Sequence, residues 1–219
     1  MDLIPTQEQI VALLRRTGAL RDGHFEYPNG VHTSQHVDPA LAMRSYESAR
    51  ILAVALSRKL RKKPEIRSVM EEAAIVAATP NGMPVAYTLS YVLQPRRVYW
   101  VEKSTRRAPM AFRPFVEPER GEQIILVDDI LRSGVLLCEA KTLIERYGAQ
   151  VLAIAVLAAL PTPKTVAFDP LPVYSAVELE PEAYADAREC ELCRRGALLT
   201  TIGRDWKSGE QLVNAVETV

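Results

Sequence analysis

Two short segments of the chain are apolar at every position, with no alternation of polar and apolar residues. They span residues 124–127 and 151–157. A strand with one face in solvent alternates, whereas a parallel strand covered by helices on both faces is apolar throughout. These two runs therefore predict parallel strands that are buried on both sides of a sheet.

Segments with helical spacing of apolar residues separate these runs from other strand-like runs. The first helical segment begins at a Thr6–Gln9 capping box and ends before Gly18. Three further helical segments cover residues 45–61, 85–93 and 135–147. Further strand-like runs lie at 73–78 and 97–102, and the first of them is followed by a turn at 79–82. This alternation predicts an α/β fold, with a central, mostly parallel sheet flanked by helices.

The predicted organisation is a single domain over residues 1–219. The α/β core covers residues 41–160, where strands and helices alternate. Residues 1–40 and 161–219 do not join that alternation, and we expect them to form a small hood and a tail. The chain contains no internal repeat and no low-complexity linker that would divide it further.

Composition excludes several functional classes. The 27 basic and 27 acidic residues give a formal net charge of zero, which argues against a nucleic-acid partner. The longest apolar run, 151–160, is about half of the ~20 residues that cross a bilayer, so no membrane association is expected. The amino terminus does not resemble a signal peptide, and three cysteines are too few for a disulfide framework. We expect a cytoplasmic protein.

The segment with the clearest chemistry follows the first apolar run. Asp128 and Asp129 come directly after the predicted strand, and Arg132, Ser133 and Gly134 then lead into a helix. Ligands of open α/β sheets bind where strands end, helix amides there attract anions, and carboxylates accept hydrogen bonds from sugar hydroxyls. The pattern favours a phosphorylated sugar as ligand. The alternative is that the two carboxylates only cap the loop and that Ser133 only caps the helix.

These residues resemble those of the type I phosphoribosyltransferases, and within them the orotate phosphoribosyltransferases. The similarity extends to segments before and after the acidic pair. They are Thr17-Gly18-Ala19-Leu20, Gly23-His24-Phe25, Asn29-Gly30-Val31-His32-Thr33, Met110-Ala111-Phe112-Arg113, Glu119-Arg120-Gly121, and Tyr184 with Cys190-Glu191-Leu192-Cys193-Arg194-Arg195-Gly196. Ordered matches over nearly the whole chain are more specific than one acidic pair.

The resemblance implies transfer of ribose 5-phosphate from phosphoribosyl pyrophosphate (PRPP) to a nucleobase, with Mg²⁺ as cofactor, in a homodimer. Asp128 and Asp129 would hold the ribose hydroxyls, and the loop of Arg132, Ser133, Gly134 and Val135 would hold the 5′-phosphate. The residues implied for pyrophosphate are Thr79, Asn81, Gly82, Lys103, Arg106 and Arg107. The implied catalytic residues are Lys103, Asp128 and Asp129. A solvated charged hairpin is the other interpretation of the basic segment.

Three departures from the family pattern support an alternative function. The loop at 132–136 lacks the hydroxyl residues that usually flank its glycine, and Pro80 removes an amide from the pyrophosphate loop. The arginine that contacts the orotate carboxylate in the family is replaced by residues of the stretch 158–161, Ala-Ala-Leu-Pro. The alternative is a non-catalytic protein that binds a phosphoribosyl ligand as a sensor or regulator, and a third possibility is an enzyme for another base.

Cys190 and Cys193 form a single Cys-x-x-Cys pair. A structural zinc ion needs four ligands, and the three histidines, His24, His32 and His36, lie more than 150 positions upstream. Packed or surface thiols are therefore the favoured interpretation, and no metal ligands are predicted within the chain. A site shared between two chains could supply four thiolates.

Overall fold

The computed structural model describes residues 5–105 and 108–203. In chain order its elements are α1 (Gln7–Arg16), β1 (Leu20–Glu26), β2 (His32–Val37), α2 (Ala40–Met43), α3 (Tyr46–Arg61), α4 (Pro64–Arg67), β3 (Ala74–Ala77), α5 (Gly82–Leu93), β4 (Arg97–Glu102), β5 (Ala111–Phe112), β6 (Gln123–Leu131), α6 (Val135–Arg146), β7 (Gln150–Ala159), β8 (Val173–Glu178), β9 (Ala183–Tyr184), α7 (Glu191–Arg194) and β10 (Leu199–Thr201).

The helices predicted from apolar spacing are present. Thr6 and Gln9 form the capping box of α1, in which the Thr6 hydroxyl accepts from the Gln9 amide and the Gln9 side chain accepts from the Thr6 amide. The helices α3, α5 and α6 fall on the other three predicted segments. Strand β4 has the predicted bounds, so the α/β prediction is confirmed.

The larger compact unit is built on a six-stranded sheet in the order β5-β4-β3-β6-β7-β8. Strand β5 pairs antiparallel with β4, and the other neighbours pair in parallel. Alternate residues of the sheet enter two cores: Ile75 and Ile125 pack with α3 and α5, whereas Val76 and Leu126 pack with α6. Helices thus cover both faces, which is why residues 124–127 of β6 and 151–157 of β7 are apolar throughout.

The boundaries of this unit differ from the predicted core of 41–160. The unit contains residues up to Arg21 and from Val37 to Glu180. Helix α1 belongs to it because Ile10, Leu13 and Leu14 are buried in the main core. Strand β8 belongs to it because it extends the sheet beyond β7, a position that the polar residues around it did not reveal.

The smaller unit comprises Asp22–His36 and the chain from Pro181 onward. Its sheet has the order β10-β1-β2-β9, in which β1 pairs parallel with β10 and β2 pairs antiparallel with β9. The turn between β1 and β2 is closed by the Tyr27 amide, which donates to the Val31 carbonyl at 2.9 Å. Most of these residues lie in the predicted hood and tail, for which no strands were expected.

Within the described ranges, every helix is too short or too polar to cross a lipid bilayer.

Candidate active site at the carboxyl edge of the sheet

The strand order of the larger unit reverses between β3 and β6. Helix α5 leads from β3 to its neighbour β4 on one side, while α6 leads from β6 to its neighbour β7 on the other side. The two helices therefore diverge at the carboxyl ends of β3 and β6. In open α/β sheets this divergence leaves a crevice, which is where ligands bind.

Asp128 and Asp129 lie inside β6, which is longer than the predicted strand of residues 124–127. Pairing with β3 ends at Val127, but pairing with β7 continues to Leu131. The extension exists because β7 has ten residues and continues to offer backbone partners after β3 has ended. Both carboxylates thus lie just beyond the end of β3, on a part of β6 that pairs only with β7.

The two carboxyl groups are almost removed from solvent, at 5% and 6% exposure. Asp128 Oδ1 accepts a hydrogen bond from the Thr79 hydroxyl at 2.6 Å and another from the Asp129 amide at 3.0 Å. Burial raises the pKa of Asp128, and the neighbouring charge of Asp129 raises it further. Burial also raises the pKa of Asp129. Such a pair gains from a ligand that donates hydrogen bonds to it.

Thr79 and Gly82 connect the predicted pyrophosphate loop with the acidic pair. The Thr79 hydroxyl donates to Asp128 and accepts from the Gly82 amide at 3.2 Å. A Cβ at position 82 would lie 2.9 Å from Asp128 Oδ1 and 3.0 Å from the Val127 carbonyl oxygen. Only glycine allows this approach of α5 to β6. Together with the hydrogen bond of Thr79 to Asp128, it brings two segments into contact that are 49 residues apart in sequence.

At the start of α5, backbone amides donate to carbonyls of the same turn. The Gly82 amide donates to the Thr79 carbonyl and the Met83 amide donates to the Pro80 carbonyl, at 3.0 and 3.3 Å. Asn81 is the N-cap residue but makes no capping hydrogen bond with its side chain. Pro84, within the first turn, has no amide hydrogen. This turn consequently offers an anion few donors.

The predicted phosphate loop is held by residues that sequence reasoning missed. The Arg132 carbonyl accepts from the Thr165 hydroxyl, and the Ser133 carbonyl accepts from the Val166 amide at 2.9 Å. Both partners lie about 33 residues downstream in an irregular segment, so no pattern in the sequence connects them with the loop. These two hydrogen bonds hold the loop in the conformation from which α6 begins.

Gly134 is the N-cap of α6, with φ of +76°. A Cβ there would lie 2.9 Å from the Phe168 ring. Val135 and Leu136, which open the helix, are 56% and 44% exposed. The first amides of a helix have no partner within it and carry the positive end of its dipole. The loop therefore presents an anion-binding helix terminus at the same edge as the acidic pair.

Lys103 directly follows β4 and so lies at this edge too. Its ammonium contacts Glu139 Oε2 of α6 at 2.7 Å, and the other oxygen of Glu139 accepts from the Met110 amide. The Lys103 ammonium holds the pKa of Glu139 below its usual range. The other predicted pyrophosphate residues, Arg106 and Arg107, lie outside the described residues.

A polar cleft of about 330 Å³ lies at the opposite, amino edge of the sheet. It is lined by Gln123 and Gln150, the first residues of β6 and β7, and by Arg97. Arg97 is paired with Glu119 at 2.8 Å and with Glu122 at 3.3 Å. Because carboxylates already engage the Arg97 guanidinium, the carboxyl edge is the stronger candidate site.

The raised pKa values predict that a ligand which requires both carboxylates in their ionised form releases protons when it binds. Burial raises both pKa values above their usual level of about 4, which favours the protonated form of the unliganded pair near neutral pH. Calorimetry of PRPP with Mg²⁺ in buffers of different ionisation enthalpy should show this release. It should shrink as the pH rises, and an enthalpy that does not depend on the buffer would contradict the prediction.

The comparisons with known proteins agree with this geometry. Residues 42–167 match the family model described as "Phosphoribosyl transferase domain". Because the match covers more than half of the chain, the chain belongs to the phosphoribosyltransferase family. It is also similar to the orotate phosphoribosyltransferase of Thermotoga maritima, with 28% identity over 187 residues that cover 85% of this chain and 93% of the relative.

Solved structures show the same fold. The orotate phosphoribosyltransferase of Aeropyrum pernix matches with a TM-score of 0.60 and 17% identity, over 77% of this chain and 93% of that one. The adenine phosphoribosyltransferase of Saccharomyces cerevisiae matches with a TM-score of 0.55 and 20% identity, over 76% and 99%. The fold is that of the type I phosphoribosyltransferases, as the sequence resemblance implied.

Proposed function

We propose that the protein transfers ribose 5-phosphate from PRPP to a nucleobase, as an orotate-type phosphoribosyltransferase or a diverged relative of one. The observation that carries the proposal is the contact of Thr79 with Asp128 across the divergence of β3 and β6. It joins the segment expected to face pyrophosphate to the carboxylates expected to face ribose. The similarity to orotate phosphoribosyltransferases supports the choice of reaction.

In the proposed reaction the chain positions PRPP and stabilises charge. Asp128 and Asp129 accept hydrogen bonds from the ribose hydroxyls, while the amides that open α6 hold the 5′-phosphate. The bond from C1 to pyrophosphate breaks first, its electron pair leaves with the pyrophosphate, and C1 acquires cationic character. The base nitrogen then bonds to C1, and its proton is released to the pyrophosphate or to water. Carboxylates held at the ribose favour that positive charge. Catalysis then comes from orientation and electrostatics, without a covalent enzyme intermediate.

The carboxyl edge also suits Mg²⁺, which we propose enters with PRPP. Asp128 and Asp129 supply hard carboxylate oxygens, the ligand type that this ion takes directly or through water. These two residues would face Mg²⁺, and the bound cation would offset the cost of ionising their buried carboxyl groups. When bound, Mg²⁺ would neutralise the pyrophosphate and make it a better leaving group.

The residues after β7 favour a test of the proposed transfer with several bases. Strand β7 ends at Ala159, and Leu160 is completely buried, with its amide donating to the Leu131 carbonyl at 2.8 Å. Residues 158–161, Ala-Ala-Leu-Pro, thus supply no cation at the position where the family resemblance implies an arginine for the orotate carboxylate. If orotate is the substrate, its carboxylate must be held by another part of the chain.

The second candidate function is a non-catalytic phosphoribosyl sensor. It is favoured by the internal use of amides at the start of α5 and by the pairing of Lys103 with Glu139. These features engage groups that were expected to bind pyrophosphate, and they do not involve Asp128, Asp129 or the amides that open α6. A sensor would therefore bind PRPP without turnover.

Release of pyrophosphate from PRPP distinguishes the two functions. The full chain is incubated with PRPP, Mg²⁺ and, separately, orotate, uracil, adenine, guanine and hypoxanthine. Release that depends on one base, with formation of its nucleotide, supports the enzyme. No release with any base, while PRPP still binds, would reject the enzyme and support the sensor.

Replacing Lys103 by alanine should lower turnover by about 10- to 100-fold while changing the free energy of unfolding by less than about 1 kcal/mol. Lys103 and Glu139 are both partly exposed, so their ion pair contributes little to stability and the lysine can leave it for pyrophosphate. Lys141→Ala is the matched control because it breaks an ion pair of the same 2.7 Å length, to Glu145, on the same helix. Equal turnover in both variants would exclude Lys103 from the reaction.

A further inference from the structure

Two histidines and two cysteines meet inside the smaller unit, although 158 residues separate His32 from Cys190 in the sequence. The ligand atoms of His24, His32, Cys190 and Cys193 all lie within 4.8 Å of one another. His24 comes from β1, His32 from β2, and the cysteines flank the start of α7. Three of the four residues are buried, with Cys190 fully so, His24 at 3% and His32 at 2% exposure.

Three nitrogen–sulfur distances in the cluster match the edges of a metal tetrahedron. His24 Nε2 lies 3.4 Å from Cys190 Sγ and 3.6 Å from Cys193 Sγ, and His32 Nδ1 lies 3.5 Å from Cys193 Sγ. Zinc bonds of about 2.0–2.1 Å to nitrogen and about 2.3 Å to sulfur give a nitrogen–sulfur edge of about 3.6 Å. The two imidazole nitrogens are 2.8 Å apart and would separate by about 0.5 Å to complete the tetrahedron.

Each histidine directs one ring nitrogen into the cluster and the other toward an oxygen. His24 Nδ1 is 3.1 Å from the Ala197 carbonyl, which fixes its proton there and leaves the Nε2 lone pair for the cluster. His32 Nε2 faces a Glu26 carboxylate oxygen at 4.0 Å. Such outer partners orient the ligands in metal sites. The Cys193 amide donates to Cys190 Sγ at 3.4 Å, which holds the first sulfur in place.

A cross-link would stabilise the smaller unit. The unit comprises Asp22–His36 and Pro181–Val219, which are 15 and 39 residues. A unit of this size buries a low fraction of its surface and is only marginally stabilised by a hydrophobic core alone. A metal in the cluster would tie β1 and β2 to the distant carboxyl-terminal segment.

We propose that His24, His32, Cys190 and Cys193 bind one structural Zn²⁺ ion. Binding displaces one proton from each thiol, so two thiolates, two neutral imidazoles and Zn²⁺ form a complex with zero net charge, as a buried site requires. Two sulfur and two nitrogen ligands select zinc by softness and tetrahedral geometry. All four positions come from the protein, so the site stabilises the unit and has no open position for catalysis.

The zinc content of the full chain, purified without a polyhistidine tag, tests the proposal. Elemental analysis should find one zinc per chain in the natural protein and in Cys138→Ser, whose cysteine is exposed and lies outside the cluster. The zinc should be lost from Cys190→Ser/Cys193→Ser and reduced at least tenfold in His24→Ala and His32→Ala. Half a zinc per chain that survives both histidine substitutions would instead indicate four thiolates shared by two chains, and would overturn the proposal.

Cobalt substitution keeps the test decisive if a variant fails to fold. The natural protein, stripped of metal and loaded with Co²⁺, should show the intense visible bands of tetrahedral cobalt and a thiolate-to-metal charge-transfer band. Absence of both zinc and the cobalt spectrum would overturn the proposal, as would a disulfide between Cys190 and Cys193 found by mass spectrometry in the metal-free natural protein. None of these outcomes depends on transferase activity, because the cluster lies wholly in the smaller unit.

Discussion

Replacement of Asp128 by asparagine is expected to abolish turnover of PRPP and, at the same time, to stabilise the folded chain. Turnover should fall at least about 100-fold because the buried carboxylate is lost from the ribose contact. Asparagine has the same shape, and its amide oxygen can still accept from the Thr79 hydroxyl and the Asp129 amide. The fold therefore loses a carboxyl group whose ionisation is costly when buried, and it keeps both hydrogen bonds.

The gain in stability follows from the direction of the pKa shift. Burial raises the pKa of Asp128 in the folded chain, so above about pH 4 the folded state binds more protons than the unfolded state. The free energy of unfolding then decreases as the pH rises from about 4 toward neutral. Asparagine removes this loss, and we expect a gain of about 1–3 kcal/mol at neutral pH that disappears in acid.

Thermal unfolding at several pH values, paired with the pyrophosphate-release assay, measures both effects. Glu72→Gln serves as control because Glu72 is 79% exposed and pairs with Arg96 away from the carboxyl edge. This control should retain both turnover and melting temperature. A destabilised Asp128→Asn variant at neutral pH would show that the carboxylate is a structural group whose charge the fold requires.

Replacement of Gly134 by alanine is expected to cost both stability and turnover, whereas the same change at Gly121 should cost much less. Both glycines have positive φ, +76° and +82°. A left-handed backbone costs an alanine roughly 1–2 kcal/mol at either site. Only at Gly134 does the new Cβ also meet other groups, namely the Phe168 ring at 2.9 Å and Leu131 Cδ1 at 3.2 Å.

The difference between the two variants therefore isolates the crowding at the phosphate loop. Overpacking of this kind typically costs a further 1–3 kcal/mol, and any shift of the loop moves the amides that open α6. We expect Gly134→Ala to melt lower than Gly121→Ala and to have a higher apparent Kd for PRPP. Identical melting curves and PRPP affinities for the two variants would contradict this account of the loop.

The local structure around the candidate site that was predicted correctly is the part encoded by nearby residues. The run 124–127 is apolar on both faces because α5 and α6 cover the sheet, and this pattern located Asp128 and Asp129 at its end. The sequence could not show that β6 continues to Leu131, because that extension depends on the length of β7. Local patterns report burial, whereas strand length depends on a distant partner.

The partners of the site residues could not be predicted for a related reason. Thr165, which binds the Arg132 carbonyl, lies in an irregular segment, and Glu139, which binds Lys103, resembles any exposed glutamate of an amphipathic helix. Their contacts come from the tertiary fold. Pairing of Lys103 with Glu139 is the finding that most qualifies its expected role at pyrophosphate.

The histidine and cysteine cluster shows the same limit most clearly. The Cys-x-x-Cys pair was visible, but its predicted lack of ligands rested on distance along the chain. Strands β1 and β2 bring His24 and His32 to the thiols, because β1 pairs with β10 and β2 pairs with β9 on either side of the cysteines in sequence. Sequence separation is therefore a poor argument against a metal site when both segments can join one sheet.

Calorimetric titration of the full chain with PRPP and Mg²⁺ tests the central claim most directly, since enzyme and sensor both require the pocket at Asp128 and Asp129. We expect one binding site per chain in the natural protein and in Glu72→Gln, and no measurable binding in Asp128→Asn/Asp129→Asn, which should remain folded. Equal binding in all three proteins, or no binding in the natural one, would show that the carboxyl edge of β6 is not a phosphoribosyl site.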